Sequence, residues 1–189
     1  MKNYLLITFT LFATAFTALN TTWTNDDAHS TLGFTVTHLG INDVTGTFND
    51  IDITLEASKD DFSDAEFSLE AKTASIDTEV EARNNHLKSA DFFDVEKFPT
   101  LTFKSNKMKK VKKDHYTLEG DLTMHGVTKP VTLDLTFRGT TVNPMNKKTT
   151  AGFQVTGTLK RSDFNIGEKF PEAMISDEVR IKADAEFIQ

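Results

Sequence analysis

The sequence predicts an all-β fold, a closed eight-stranded antiparallel barrel with one short helix inserted between strands. Three observations predict it. Apolar and polar residues alternate with a period of two along most of the chain, only one segment has a helical pattern, and turn residues separate the alternating segments. The composition agrees, since 16 Phe accompany only 9 Gly and 4 Pro, and aromatic side chains suit a pleated, half-buried surface.

The first eighteen residues are predicted to be a cleaved secretory signal peptide. Lys2 gives a positive start, an apolar stretch follows at 4–16, and the small residues Ala15 and Ala18 offer cleavage positions. The protein is therefore expected to be periplasmic or secreted. Because the apolar stretch is short and interrupted by threonines, we expect no stable membrane insertion.

The remaining residues, 19–189, are predicted to form one domain, because this length suits one hydrophobic core and is short for two. They carry 20 basic and 28 acidic side chains, a formal net charge of −8. This charge argues against nucleic acid as a partner, since binding a polyanion needs a basic surface. The chain has no cysteine, which excludes disulfides, thiolate metal ligands and a cysteine nucleophile.

Eight segments carry the alternation expected of strands. Each has one apolar face and one face of Thr, Lys, Asp and Glu, which is typical of an antiparallel sheet wetted on one side. Closing such a sheet into a barrel removes its exposed edges. In the second segment the alternation changes parity near Asn49, which predicts a kink or bulge. In chain order the segments are 32–38, 44–55, 67–72, 101–104, 116–124, 131–137, 151–159 and 179–187.

The helix is predicted at roughly 79–90, where Val80 and Leu87 can pack while the polar residues between them face water. Asp77 or Thr78 is expected to cap it. Turn-forming residues predict hairpins at 113–114, 126–130 and 143–146, and a longer irregular connection at 162–176.

The inward faces of the predicted barrel mix large side chains with very small ones, such as Gly46, Gly120 and Gly157. Two interpretations stay open. Small residues could leave room on the axis for a mostly hydrocarbon ligand. Alternatively, phenylalanine rings fill that space, and the protein is a ligand-free structural or protein-interaction module of the cell envelope. The predicted cavity lining is Phe34, Val36, Phe48, Leu69, Phe103, Leu122, Phe137, Phe153, Val155 and Ile181.

Several stretches resemble the YceI-like family, exported lipocalin-like barrels described as binding lipids or polyisoprenoids. The resemblance implies a long isoprenoid or other amphiphilic lipid inside the barrel, held for transport, storage or sequestration, with the helix near the mouth. One departure is at 165–167, where a glycine is expected sooner. The matching positions are Trp23, Asp26, Asp27, His29, Ser30, 34–40, 46–48, 83–100, Phe103, 120–129, 161–164 and 177–179.

Polar residues on and near the predicted helix are candidates for contact with a ligand headgroup at the mouth. Arg83 and His86 are three residues apart and so share a helix face, where they could meet a polar or anionic group. The alternative is that Arg83 pairs with Asp91 or Asp94 and fixes the helix to the barrel. The candidate mouth residues are Arg83, Asn84, His86, Lys88 and His38.

The sequence predicts no catalytic residue, metal site or cofactor. The histidines lack the spacings that place two rings on one ion. Ser30 follows His29 directly, and adjacent strand residues point to opposite faces, so these two cannot share a proton. No phosphate-binding loop or nucleophile elbow occurs. We therefore expect a binding protein that is not an enzyme, and the sequence does not distinguish a monomer from a homodimer.

Overall fold

The computed structural model describes residues 21–189, which form eleven strands and one α-helix, α1, at Glu81–Lys88. Three short 3₁₀ segments lie at Asp27–His29, Thr73–Ser75 and Arg161–Phe164. The predicted signal peptide at 1–18 lies outside the described residues. The strands are β1 Thr21–Asn25, β2 Thr31–His38, β3 Asn42–Phe48, β4 Ile51–Ala57, β5 Glu66–Lys72, β6 Ile76–Asp77, β7 Thr100–Lys112, β8 His115–Met124, β9 Val127–Val142, β10 Thr149–Lys160 and β11 Glu178–Ile188.

The strands close into a barrel with eight positions, because three consecutive pairs each act as one interrupted strand. β1 and β2 both pair with β11, at Thr24 with Ile188 and at Phe34 with Ile181. β4 and β3 pair with β1 and β2, and β5 and β6 pair with β4 and β3. β5 then pairs with β7, and successive pairings lead back to β11. The predicted closed eight-stranded antiparallel barrel is confirmed.

The interruptions allow a strand to change the parity of its buried residues. Phe48 is buried in β3 and Ile53 in β4, an odd separation that a regular strand would place on opposite faces. The break at Asn49 and Asp50 absorbs the difference, where the sequence predicted a kink. Between β5 and β6, the buried Thr73 donates its hydroxyl to the carbonyl of Phe98 at 2.7 Å.

The helix is shorter than predicted and is capped differently. Its N-cap residue is Val80, which provides no side-chain cap. Asp77 and Thr78 contact the helix further along, since the amide of Asn84 donates to Asp77 Oδ1 at 2.8 Å and accepts from Thr78 Oγ1 at 2.6 Å. Within the described part of the chain, none of the helices has the length and apolar character needed to cross a membrane.

Six aromatic rings fill one end of the barrel, which we call the closed end. Phe62, in the β4–β5 loop, adopts a left-handed backbone conformation with φ 54° and packs on Trp23, Phe137 and Phe153 at centroid distances of 5.2–5.3 Å. Phe67 and Phe187 extend the cluster. The opposite end, which we call the mouth, carries the β2–β3 turn, α1 and residues 161–177.

Candidate functional site

A cavity of about 530 Å³ occupies the barrel interior. Apolar side chains from β2, β3, β4, β5, β7, β8, β9, β10 and β11 form most of its wall, and polar residues such as Asn42 and Arg83 join it near the mouth. This arrangement follows from the alternation of the strands, because each strand directs every second residue inward. The site can therefore surround an elongated apolar group while leaving one polar end near water.

The structure places nine of the ten predicted lining residues in the cavity wall. The tenth, Phe137, lies outside the wall in the aromatic cluster of the closed end. Its ring centroid is 5.2 Å from that of Phe62 and 5.1 Å from that of Phe153. Phe62 thus occupies the barrel axis next to Phe137. Because Phe62 belongs to a loop, no alternating pattern in the sequence predicted its position. The nine wall residues are Phe34, Val36, Phe48, Leu69, Phe103, Leu122, Phe153, Val155 and Ile181.

Gly46, Gly120 and Gly157 do not open space on the axis, which was one of the two interpretations of the sequence. A Cβ atom at Gly46 would lie 2.4 Å from the ring of Phe34, and one at Gly120 would lie 2.5 Å from the ring of Phe103. At Gly157 the neighbour is Leu133, at 2.6 Å. These three glycines make room for neighbouring side chains and not for the cavity. Among the small inward residues that the sequence offered, Ala183 does line the cavity.

Two segments cover the mouth and meet each other through aromatic side chains. Phe92 follows α1 and Phe170 belongs to residues 161–177. Their rings are stacked, with centroids 4.8 Å apart and planes 13° from parallel. His86 of α1 contacts both rings edge-on, at 5.0 Å and 5.5 Å. All three residues also contribute to the cavity wall, so a ligand that enters here passes this contact.

Arg161 holds one of these segments together, a role that its position in the sequence did not predict. It is only 8% exposed, and its guanidinium donates to the main-chain carbonyls of five residues at 2.6–3.2 Å. A guanidinium has five N–H donors in a rigid fork, so its capacity is fully used by one loop. The accepting residues are Ile166, Gly167, Phe170, Ile175 and Ser176.

The unusual stretch at 165–167 fits this loop. Asn165 ends the 3₁₀ segment in a left-handed conformation with φ 56°, which asparagine tolerates better than most residues. Asp177 closes the loop, because its carboxylate accepts from the main-chain N–H and the hydroxyl of Ser162 at 2.9 Å and 2.8 Å. Burial raises the pKa of Asp177, but these hydrogen bonds outweigh it and leave the pKa below its usual value.

Three of the five predicted mouth residues, Arg83, His86 and His38, are in the cavity wall. Arg83 does not fix the helix through Asp91 or Asp94 as the alternative proposed. It donates to the hydroxyl and the carbonyl of Thr78 at 2.8 Å and 2.7 Å.

The other two predicted mouth residues, Asn84 and Lys88, lie outside the wall. Asn84 is turned away from the cavity by its bonds to Asp77 and Thr78. Of the five predicted mouth residues, one arginine and two histidines can therefore contact a ligand in the cavity.

Asp91 joins the two covering segments electrostatically. Its carboxylate contacts Lys169 Nζ at 2.5 Å and His86 Nε2 at 3.3 Å. The hydrogen bond from Lys169, followed by that from His86, holds the pKa of Asp91 below its usual value. The ionised carboxylate is thus the form that connects α1 to residues 161–177.

One further cluster of polar residues lies outside the cavity wall. Ligand atoms of Asp26, His29 and Glu186 are within 4.8 Å of one another. A hydrogen bond between His29 Nδ1 and Asp26 Oδ2, at 3.0 Å, joins two of these groups and raises the pKa of His29. The main-chain N–H of Asp26 donates to the carbonyl of Glu186 at 2.8 Å, which brings the third residue close. Ser30 is engaged elsewhere, since its hydroxyl accepts from the main-chain N–H of Glu186 at 3.2 Å. We assign neither a metal nor a catalytic pair to this cluster.

Comparison with known proteins agrees with this architecture. A family model described as a YceI-like domain matches residues 23–187. The chain belongs to the YceI-like family. It is similar to a UPF0312 protein of Staphylococcus aureus strain N315, with 37% identity over 173 residues that cover 88% of this chain and 97% of the relative.

Solved structures place the chain in the same family and fold. The YCEI protein of Campylobacter jejuni has a TM-score of 0.73 and 31% identity, covering 81% of this chain and 89% of that one. A polyisoprenoid binding domain from Saccharophagus degradans has a TM-score of 0.64 and 15% identity, covering 88% and 97%. The second likeness shows that the two proteins share a fold.

The chain's membership of the YceI-like family, expected from the resemblance, is thus confirmed, and two of the motifs that carried the resemblance build the mouth. Residues 83–100 form α1 and the segment with Phe92, and residues 161–164 provide the buried guanidinium of Arg161. These two motifs of this YceI-like chain therefore belong to the segments that cover the cavity.

Proposed function

We propose that this protein binds a long-chain isoprenoid or other amphiphilic lipid inside its barrel, and carries, stores or sequesters it. The observation that carries the proposal is the apolar cavity of about 530 Å³ between the closed end and the mouth. This volume lies within the range usual for ligand sites, roughly 300–1,000 Å³. Burial in such a wall favours hydrocarbon over sugars or nucleotides, which need many polar partners.

The distribution of polar groups supports one orientation of the ligand. The rings of the closed end that line the cavity, those of Phe67, Phe153 and Phe187, offer only apolar contacts, so the hydrocarbon tail points towards them. Arg83, His38 and His86 are at the mouth, where they can donate hydrogen bonds to a polar headgroup. The name of the Saccharophagus degradans neighbour, a polyisoprenoid binding domain, supports an isoprenoid as the ligand class.

We further propose that binding occurs outside the cytoplasm and without chemical change of the ligand. The positive start, the apolar stretch at 4–16 and the small residues after it support export of a periplasmic or secreted protein. The engagement of the Ser30 hydroxyl with the main chain of Glu186 supports a binding role over hydrolysis by a serine.

The test combines native mass spectrometry with a variant that fills the cavity. The purified protein should carry a co-purified lipid or take up a polyprenyl or fatty-acyl probe. Ala183 is in the cavity wall beside Val155 and Leu32, so Ala183→Phe puts a ring into the ligand space. If the ring excludes two methylenes of the ligand from the cavity, at about 0.8 kcal/mol each, the affinity for the ligand falls by about tenfold or more.

Thr158→Phe is the matched control, because Thr158 is exposed and adjacent to the inward Gly157 on β10, so the same ring points outward. It should bind probe like the wild type. A protein that is free of lipid and takes up no probe would contradict the proposal, and would favour a ligand-free structural or protein-interaction module.

A further inference from the structure

Exposed aliphatic side chains surround the mouth of the barrel. Leu39 and Ile41 are in the β2–β3 turn, Val80 precedes α1, and Met174 lies in the 161–177 segment. All four are exposed, Ile41 to 85%. We call these four residues the apolar rim. No other part of residues 21–189 buries these side chains, although aliphatic atoms in water cost free energy that polar residues would avoid.

The apolar rim is continuous with the cavity wall along the chain. His38 and Asn42, on either side of the β2–β3 turn, line the cavity. Thr78 and Arg83, on either side of Val80, also line it, and Met174 is itself part of the wall. A hydrocarbon chain leaving the cavity therefore meets further apolar surface at the rim.

The main chain holds two parts of the rim together. The N–H of Leu39 donates to the carbonyl of Met174 at 2.9 Å, and that of Ser176 donates to the carbonyl of Thr37 at 2.9 Å. The hydroxyl of Ser176 accepts from the N–H of Thr37 at 2.9 Å. These bonds fix the turn against the loop, so Leu39 and Met174 are presented side by side.

The backbone at Leu39 is a second sign that an aliphatic residue has a role here. Leu39 has φ 51° and is followed by Gly40 with φ 69°, a pair of left-handed residues that turns usually fill with Asn, Asp or Gly. Leucine pays a steric penalty in this conformation and, being half exposed, gains little burial inside the fold. Strain of this kind is found at functional positions.

We infer that the apolar rim docks onto the surface of a zwitterionic lipid bilayer, so that a ligand passes between bilayer and cavity through the mouth. The charged residues nearest to the rim along the chain are acidic, namely Glu79, Glu81 and Glu172, as well as Asp43, whose charge is offset by an ion pair with Arg180. Together with the net charge of −8 for residues 19–189, they disfavour an anionic surface. Docking thus relies on insertion of aliphatic side chains and should depend weakly on salt.

The inference rests on the proposed function only for the passage of a ligand, and docking can be measured by itself. We would test the mature protein by co-sedimentation with phosphatidylcholine vesicles. The double variant Ile41→Ser/Val80→Ser removes two rim side chains that lie outside the cavity wall. Its matched control is Val111→Ser/Met145→Ser, since these exposed aliphatic residues, Met145 at 90%, lie near the hairpin turns of the closed end.

The wild type and the control should bind the vesicles alike. The affinity of the rim variant for the vesicles should be lower by about tenfold or more, because several buried methylenes are lost. Equal thermal midpoints would show that all three proteins are folded. Equal sedimentation of the rim variant and the wild type, or no binding by the wild type, would overturn docking. A wild-type dimer that becomes monomeric in the rim variant would assign the rim to a second copy and also overturn it.

Uptake of a soluble fatty-acyl probe separates this inference from the proposed function. If docking is right, the rim variant takes up the soluble probe like the wild type but acquires a lipid from vesicles more slowly. If the proposed function fails, no variant takes up the probe, while vesicle binding by the wild type still reports on the rim. Equal rates of acquisition from vesicles by the rim variant and the wild type would contradict the passage of ligand through a docked mouth.

Discussion

Phe92 and Phe170 stack nearly parallel across the mouth, with ring centroids 4.8 Å apart. One ring follows α1 and the other belongs to residues 161–177, so this contact joins the two segments that cover the cavity. A stacked aromatic pair contributes only about 0.5–1.5 kcal/mol beyond its buried area. The mouth can therefore open locally while the hydrogen-bonded barrel remains intact.

Replacing Phe170 by alanine should accelerate ligand release. The substitution removes the stack with Phe92 and the contact with His86, which should raise the dissociation rate of a bound lipid by roughly tenfold, equivalent to about 1.4 kcal/mol. Dissociation can be followed by stopped-flow fluorescence. Phe98→Ala is the control, because Phe98 contacts His125 outside the cavity wall. A release rate unchanged in Phe170→Ala would show that ligand leaves elsewhere.

The link through Asp91 should make the mouth sensitive to acid. Its pKa is held below the usual 3.8, first by Lys169 and then by His86. A lowered folded-state pKa means that the stabilisation is present above the usual value and is lost as pH falls through the folded-state value. Release should therefore be constant at neutral and mildly acidic pH and should accelerate below about pH 4.

Asp91→Asn should remove this acid-dependent step and release ligand faster at neutral pH. Circular dichroism at each pH would verify that the barrel stays folded. Acceleration between about pH 7 and pH 5 would instead point to a histidine, since that is the range in which histidines usually titrate. That result would contradict the role given to Asp91.

The alternation of period two predicted the barrel because each strand buries one face only. The alternation predicted β7 and β9 to be shorter than they are, because their outer parts are exposed, as at Lys109 and Thr140. There the strands continue through main-chain pairing with β8 and β10, which leaves no apolar pattern. β1 was missed because its five residues bury a single large side chain, that of Trp23.

The cavity wall was predictable where strands direct side chains inward, and less so where loops intervene. Phe137 has the alternation of a wall residue, yet Phe62 of a loop occupies the adjacent axis. The role of Arg161 was not predictable either, since its partners are carbonyls 5–15 residues further along the chain, and carbonyls are common to all residues. Tertiary placement of loops decides both cases.

Glycine 120 should be required for stability irrespective of ligand. A Cβ atom there would lie 2.5 Å from the carbonyl oxygen of Lys104 and 2.5 Å from the ring of Phe103, and the backbone contact cannot relax easily. Gly120→Ala should cost about 1–3 kcal/mol of unfolding free energy, as overpacking does, measured by urea denaturation. Gly33→Ala is the control, because its nearest neighbours are 3.6 Å away. Equal stability of both variants would contradict this packing.

The guanidinium of Arg161 should be needed for the order of residues 161–177. A lysine keeps the charge but has three donors on one nitrogen, so it cannot reach carbonyls on opposite sides of the loop, such as those of Gly167 and Ser176. Unpaired buried carbonyls cost about 1–3 kcal/mol each. Arg161→Lys should therefore lower the free energy of unfolding by about 2–4 kcal/mol.

Urea denaturation measures the loss of stability, and hydrogen exchange locates it. Protection should fall first in 161–177, because the five carbonyl bonds end there, whereas β8 and β9 should keep theirs. Arg138→Lys makes the same chemical change at an exposed position of β9 and should alter stability by less than about 0.5 kcal/mol. If Arg161→Lys matched Arg138→Lys in both measurements, the loop would be held by its other contacts, chiefly Asp177 with Ser162.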